Sequence, residues 1–142
     1  MDNKKLSLIE KKIKEIVGQE NFSKEITERF CYIRDAAPID VTEETIPDII
    51  VWPRDSCQIS KIVMLANKML IPIVPRGAGS GECGGAMPIE GGIVLDFTFM
   101  KSVLKIDDEN MMCLVEPGIV CAELNAILAK RGFFFTSCTG QQ

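Results

Sequence analysis

Residues 75–85 read Pro75-Arg76-Gly77-Ala78-Gly79-Ser80-Gly81-Glu82-Cys83-Gly84-Gly85, and the five glycines in 77–85 decide how the rest of the chain is read. They follow directly on an apolar run. Glycine lets a backbone approach a ligand closely and turn several N–H groups inward; a diphosphate is the usual guest of such a nest. Ser80 adds a hydroxyl donor and Arg76 a charge. The competing reading is a tight turn without a ligand, because glycine clusters serve plain turns too. Two familiar nucleotide motifs fall away. Gly79-Ser80-Gly81-Glu82-Cys83-Gly84 has the spacing Gly-x-Gly-x-x-Gly, but in a Rossmann unit that motif opens a helix. Here Gly85, Pro88, Gly91 and Gly92 follow too closely for a helix to form. The phosphate loop of the NTPases ends in Gly-Lys-Ser/Thr, and Gly84-Gly85-Ala86 lacks the lysine.

On the N-terminal side of the loop, Ile49-Ile50-Val51-Trp52 is a short apolar strand closed by Pro53. Asp55 reads as an N-cap with Gln58 three residues on, and Ile59, Ile62, Val63, Ala66 and Met69 form a helical stripe to about Leu70. Ile71–Val74 is the next expected strand, ending at Pro75. Strand, helix and strand in this order point to a parallel crossover unit. On the far side, Ile93–Phe97 is a strand, and Val103–Ile106 pairs with Met112–Val115 across Asp107–Asn110. Val120, Leu124, Ile127 and Leu128 give a last helix stopped by Gly132, and Phe133–Phe135 starts a strand running towards the C-terminus. Near the start, Leu6, Ile9, Ile13, Ile16 and Val17 share a helical face that Gly18 terminates. Ser23 is positioned to cap a second helix over Lys24–Arg29, and Asp35–Pro47 reads as an extended connection. The fold class expected is α+β: a small, largely parallel sheet beneath the helices at 55–70 and 121–131.

The bulk numbers narrow the function classes. A chain of 142 residues, 46% hydrophobic and 25% charged, suits one globular domain with a real core. With a net charge of -4 and no basic cluster interleaved with aromatics, nucleic acid is excluded as the expected partner. Lys11, Lys12 and Lys14 alternate with Glu10 and Glu15, as on a solvated helix face. No apolar run reaches the roughly 18 residues of a membrane span. The N-terminus, Met1–Lys5, lacks the long apolar stretch of a signal peptide, so a cytoplasmic location is expected. The six cysteines (Cys31, Cys57, Cys83, Cys113, Cys121 and Cys138) form no Cys-x-x-Cys, and the chain has no histidine. No metal site is therefore expected, the thiols read as free and mostly buried, and Cys83 reads as a small filler. Serine–histidine and cysteine–histidine catalysis within the chain are excluded.

The order Pro75-Arg76-Gly77-x-Gly79-Ser80-Gly81, then Gly84-Gly85, Pro88 and Gly91-Gly92-Ile93-Val94-Leu95-Asp96, resembles the FAD-linked oxidases of the vanillyl-alcohol oxidase type. Met100, Ile106-Asp107, Val115-Glu116-Pro117-Gly118-Ile119 and Gly132–Phe135 continue the match. Within that group the glycolate oxidase and D-lactate dehydrogenase flavoproteins are most similar. The resemblance implies a PCMH-type FAD-binding domain, with 1–46 an N-terminal helical segment and connection and 47–142 the first part of that domain. Pro75, Arg76, Gly77, Ala78, Gly79, Ser80 and Gly81 would wrap the FAD diphosphate. Gly84 and Gly85 would let the loop fold back, and Pro117 and Gly118 would form a second segment near the flavin. Pro53 and Asp55 read as strand end and helix cap only.

The resemblance further implies oxidation of a 2-hydroxy acid such as D-lactate or glycolate. Electrons would leave through an electron-transfer flavoprotein or an iron–sulfur subunit. Many relatives tether FAD through histidine, so FAD would be held non-covalently here. Where relatives carry a Pro-Pro-Asp-Pro-like stretch, this chain has Thr136-Ser137-Cys138-Thr139. Relatives continue into a second glycine-rich segment and a substrate domain. The catalytic base and hydroxy-acid pocket are therefore expected in the remainder of the enzyme or in a partner subunit. A non-catalytic scaffold that keeps the fold without the cofactor is the alternative from a different class.

Overall fold

The computed structural model describes residues 3–136. Its elements are α1 (Asn3–Val17), β1 (Phe22–Ser23), α2 (Ile26–Arg29), β2 (Ile49–Val51), α3 (Ser56–Met69), β3 (Ile73–Arg76), β4 (Ile93–Asp96), β5 (Val103–Asp107), β6 (Met112–Val115) and α4 (Cys121–Ala129). Four strands make one sheet in the order β1-β2-β4-β3, and β5 and β6 form a separate antiparallel pair. β2 and β3 both run parallel to β4, with Ile50 and Val74 each opposite Val94. The strand–helix–strand unit therefore lies in one sheet, as its apolar pattern requires, with β4 inserted between its two strands. β1 adds an antiparallel edge, Phe22 opposite Val51.

Burial follows the pleat. Ile49, Val51, Ile93 and Leu95 face α1 and α3, and they join Ile9, Ile13, Val17, Ile62 and Ala66 in one core cluster. Ile50 and Val94 point to the other face and are also fully buried. A sheet covered on both sides is what parallel strands of continuous Ile and Val demand. The second helix of the core is α1 rather than α4. Leu124 and Leu128 of α4 are buried outside the cluster. Ion pairs tie that helix region to the hairpin side: Lys101–Glu123 at 3.9 Å and Arg131–Asp108 at 3.2 Å.

Several local readings shift. β3 starts two residues later than expected, because Leu70 adopts a left-handed cap (φ 48) and the Ile71 amide donates back to the Ala66 carbonyl. It also runs through Pro75, which an edge strand tolerates since the missing N–H has no ladder partner there. Ser23 belongs to β1 and does not cap α2; its hydroxyl accepts from the Glu25 amide (3.1 Å), and Glu25 takes the N-cap position. Asp55 caps α3 as read, accepting from the Gln58 amide at 2.8 Å. Phe133–Thr136 form no strand. Asn125 instead pairs with the backbone of Phe135 through both amide atoms (2.8 and 3.1 Å). The remainder of that expected strand, and Cys138, lie outside the described residues.

Cys31, Cys57 and Cys83 are exposed, and Cys113 and Cys121 are half-buried, where mostly buried thiols were expected. Cys31 follows α2, Cys57 lies in α3, Cys83 in the glycine loop, Cys113 in β6 and Cys121 at the start of α4, and none belongs to the Ile/Val core cluster. Among the described residues, no helix is long and apolar enough to cross a membrane.

β4 is threaded into the sheet through Gly92. Its carbonyl accepts from the amides of Asp48 (2.7 Å) and Ile49 (3.2 Å), and its own amide donates to the Asp48 carboxylate at 2.9 Å. At φ +81 a Cβ on residue 92 would overlap the Pro72 carbonyl oxygen and sit 2.9 Å from the Pro72 Cβ. Left-handed backbone at a non-glycine residue costs on the order of 1–3 kcal/mol, before any clash. Gly92→Ala is expected to lower unfolding stability by about 2 kcal/mol or more, read from the urea midpoint. A midpoint within error of wild type would contradict this account of the threading.

Candidate cofactor site

β2, β3 and β4 end at one edge of the sheet, where parallel α/β sheets characteristically bind ligands. Leaving this edge, the chain after β3 makes the glycine loop and the chain after β4 makes the turn Phe97–Met100. The segment 116–119 lies across that turn. The Gly118 amide donates to the Met100 carbonyl (2.8 Å), and the Glu116 amide to the Ser102 carbonyl (2.9 Å). A Cβ at Gly118 would overlap the Phe97 carbonyl oxygen, so this approach requires glycine. A Cβ at Gly77 would lie 3.6 Å from the Pro117 carbonyl oxygen, an ordinary contact.

Between these segments lies a cleft of about 530 Å³, lined by Gly77, Ala78 and Ser80 on one side and by Pro117, Gly118 and the residues entering α4 on another. Thr98 and Lys101 complete it. Five residues singled out from the sequence, Gly77, Ala78, Ser80, Pro117 and Gly118, thus meet at one cleft. The other six, Pro75, Arg76, Gly79, Gly81, Gly84 and Gly85, lie outside its lining. The loop is irregular, with Gly79 and Gly84 at φ +70 and +77, and no helix starts within it. Rejecting the Rossmann reading was right.

Arg76 was expected to bring charge to the ligand; its guanidinium is instead engaged beneath the loop. It donates to the carbonyls of Arg34 (3.0 Å) and Ala86 (3.3 Å) and lies 5.3 Å from the centre of the Tyr32 ring. Gly79 is packed against that guanidinium, which leaves no room for a Cβ. The loop is braced from the connection 34–37 as well. The Ala36 amide donates to the Gly81 carbonyl (3.0 Å), and the Asp35 carboxylate accepts from Ala37 (2.8 Å) and Ala86 (3.4 Å). Gly84 meets Ile39 and Met87, whereas a Cβ on Gly85 would meet nothing within 4 Å.

Beneath the cleft lies a polar cluster that the sequence reading missed. Trp52, Arg76 and Asp96 share the sheet face of Ile50, Val74 and Val94, and Tyr32 packs over them. The Tyr32 hydroxyl donates to Asp96 at 2.6 Å and accepts from the Trp52 indole at 3.2 Å. Asp96, only 5% exposed, also accepts from the Thr98 amide (2.8 Å) and the Thr98 hydroxyl. One signal was present: an acid ending the apolar run Ile93–Leu95 must find donors when buried. Which donors could not be read, since Tyr32 is 64 residues away.

Burial, then the hydrogen bond to Asp96, pushes the Tyr32 phenol up to about 12 from its ordinary 10.0. Folding thus favours the neutral phenol. That contribution is complete below the unfolded value near 10 and is lost as pH rises through about 12. Tyr32 is the only tyrosine, so tyrosinate absorbance reports it alone. Its midpoint is expected near 12 in the folded chain and near 10 in denaturant. Tyr32→Phe should flatten the fall in stability over that interval. Coincident folded and denatured midpoints would rule the cluster out.

A larger depression of about 750 Å³ opens near the opposite ends of the strands, lined by Glu43, Glu44, Asp48 and Glu90 among others. The one cation there, Arg29, donates to the Pro47 carbonyl at 2.5 Å. This acidic wall repels an anion; the glycine cleft suits one.

A mainly parallel sheet with a glycine-rich loop and a second chain segment at its carboxyl edge defines a nucleotide-cofactor domain. The FAD binding domain family matches residues 47–141, and the chain belongs to that family. It is 36% identical over 132 residues to the glycolate oxidase subunit GlcD of Bacillus subtilis (strain 168), a match covering 90% of this chain and 27% of that protein. It is 40% identical over 90 residues to the mitochondrial D-lactate dehydrogenase [cytochrome] of Arabidopsis thaliana, covering 63% of this chain and 16% of that protein. The chain therefore spans about a quarter or less of these relatives. Among solved structures, p-cresol methylhydroxylase with substrate bound superposes with a TM-score of 0.81 at 23% identity, covering 93% of this chain and 26% of that one. The 4-ethylphenol oxidase from Gulosibacter chungangensis gives 0.80 at 24% identity, covering 93% and 26%. These likenesses establish the fold, which is the PCMH type expected.

Proposed function

We propose that this chain is the FAD-binding portion of a flavin-dependent oxidoreductase that oxidises a 2-hydroxy acid such as D-lactate or glycolate. The observation that carries the reading is the single cleft joining Gly77, Ala78 and Ser80 to Pro117 and Gly118 at the carboxyl edge of the sheet. Its wall suits a dinucleotide. Backbone and small side chains leave room for a bulky group, and Ser80 and Lys101 supply polar contacts. Its volume of about 530 Å³ falls within the roughly 300–1,000 Å³ usual for small-molecule sites. The similarity to a glycolate oxidase subunit and to D-lactate dehydrogenases supports the substrate class.

When bound, FAD would supply the hydride-accepting chemistry. The chain's own part is to bind and orient. Gly77, Ala78 and Ser80 offer backbone N–H groups to a diphosphate, the Ser80 hydroxyl borders it, and Pro117–Gly118 form the opposing wall. Arg76, Asp35 and the Tyr32–Asp96 pair hold the loop in place. The chain has no histidine, so its own residues hold the flavin without a histidyl link. In this reading the substrate pocket and the group that takes the substrate proton belong to the remainder of the enzyme or a partner subunit. An electron-transfer flavoprotein or iron–sulfur subunit accepts the electrons in the cytoplasm.

The chain by itself should bind FAD weakly or not at all. Four to six loop hydrogen bonds at about 1 kcal/mol each must offset several kcal/mol of lost translational and rotational freedom. A single wall leaves the rings largely in water, so most of the apolar gain of roughly 25 cal/mol per Å² is missing. Calorimetric titration of the 142-residue chain with FAD is expected to give a micromolar dissociation constant at best, about -8 kcal/mol or weaker. Yellow protein surviving gel filtration, or a nanomolar constant, would show that the chain holds a complete site.

A further inference from the structure

The glycine cleft has an unusual charge arrangement for a site reading an anion. Arg76, the cation adjacent to the loop in sequence, is engaged by the carbonyls of Arg34 and Ala86 under it. Asp96, close beneath Thr98, is a buried carboxylate. Of the side chains lining the cleft, only that of Lys101 is charged.

Lys101 follows the turn Phe97–Met100, which the Gly118 amide clamps by donating to the Met100 carbonyl. Its stem therefore starts from a defined place beside Pro117 and Gly118. Its side chain is 58% exposed, and its ion pair to Glu123 spans 3.9 Å with the carboxylate 51% exposed. At that length and exposure such a pair is weak and is readily exchanged for a better anion. Glu123 does not need the lysine. It lies in the first turn of α4, where the helix dipole favours a carboxylate.

We propose that Lys101 is the charge-bearing cofactor residue of this cleft: its ammonium leaves Glu123 and pairs with the diphosphate held against Gly77–Ser80. The inference rests on the FAD reading above and names the residue that makes the cleft selective for an anionic ligand. An ammonium on a flexible stem offers three donors and does not demand the planar geometry of a guanidinium. It can therefore follow the diphosphate from the wall opposite the loop. Glu123 then acts as a competitor that holds the lysine while the cleft is empty.

The test is titration of the wild-type chain and its Lys101→Gln, Lys101→Arg and Glu123→Gln variants with FAD, by calorimetry at two ionic strengths. Thermal midpoints verify that each variant folds. Lys101→Gln should weaken binding about three- to tenfold and reduce its salt dependence, a range set by a charge-assisted contact that solvent partly screens. Lys101→Arg should stay within about twofold of wild type, since the charge is kept. Glu123→Gln should tighten binding by about twofold or more once the competing carboxylate is gone. Equal affinity for Lys101→Gln and wild type, or equal loss in the Gln and Arg variants, overturns the proposal and leaves the cofactor reading standing. A wild-type chain that binds no FAD overturns the Lys101 proposal alone, because the cleft then holds no anion by its own residues.

Discussion

The parallel pairing of β3 with β4 is the constraint on which the site depends. Their register sets Arg76 opposite Asp96, so both strands stop at one level. The glycine loop and the turn Phe97–Met100 consequently leave the sheet side by side. A shift of one residue would turn Arg76 and Asp96 to the face of α1 and α3, placing two charges in an Ile/Val core. The polar ends Arg76 and Asp96, which must stay off the α1 and α3 face, hold that register.

Tyr32 bridges the two charges. Its hydroxyl satisfies Asp96, and its ring lies beside the Arg76 guanidinium. A buried carboxylate without donors would cost several kcal/mol, and here Tyr32 and Thr98 supply them. The N-terminal region is thereby part of the site's foundation. It carries Tyr32, Asp35 and the Arg34 carbonyl, and β1 closes the sheet edge beside β2. The loop is shaped from below by side chains and from the side by backbone, and Gly77, Ala78 and Ser80 line the cleft.

The hairpin β5–β6 and helix α4 form the second half of the cleft without joining the main core. Leu104, Met112 and Leu114 of the hairpin are each about 60% exposed, at 59%, 63% and 60%. Phe134, which follows α4, is 73% exposed. The relatives matched are roughly three to four times as long, by the shares covered. An apolar surface of this kind accords with a domain whose other wall lies outside these residues.

By itself the sequence determined the strands of continuous Ile and Val, the capped helix from Asp55, the glycine loop with no helix after it, and the family. Those are local matters: period, caps and the φ that only glycine adopts. It also marked Gly77, Ala78, Ser80, Pro117 and Gly118, because spaced glycine and proline motifs carry their meaning along the chain. What only the tertiary structure decided was the insertion of β4 between β2 and β3, the packing of α1 beside α3, and the direction of each polar side chain. Arg76 reads as a ligand-facing charge until Arg34 and Ala86 are seen to hold it. Asp96 reads as a strand end until Tyr32 arrives from 64 residues away. Lys101 carries no motif at all. Its place in the cleft follows from Gly118 pressing against Phe97 and Met100, a contact between distant segments that no local pattern encodes.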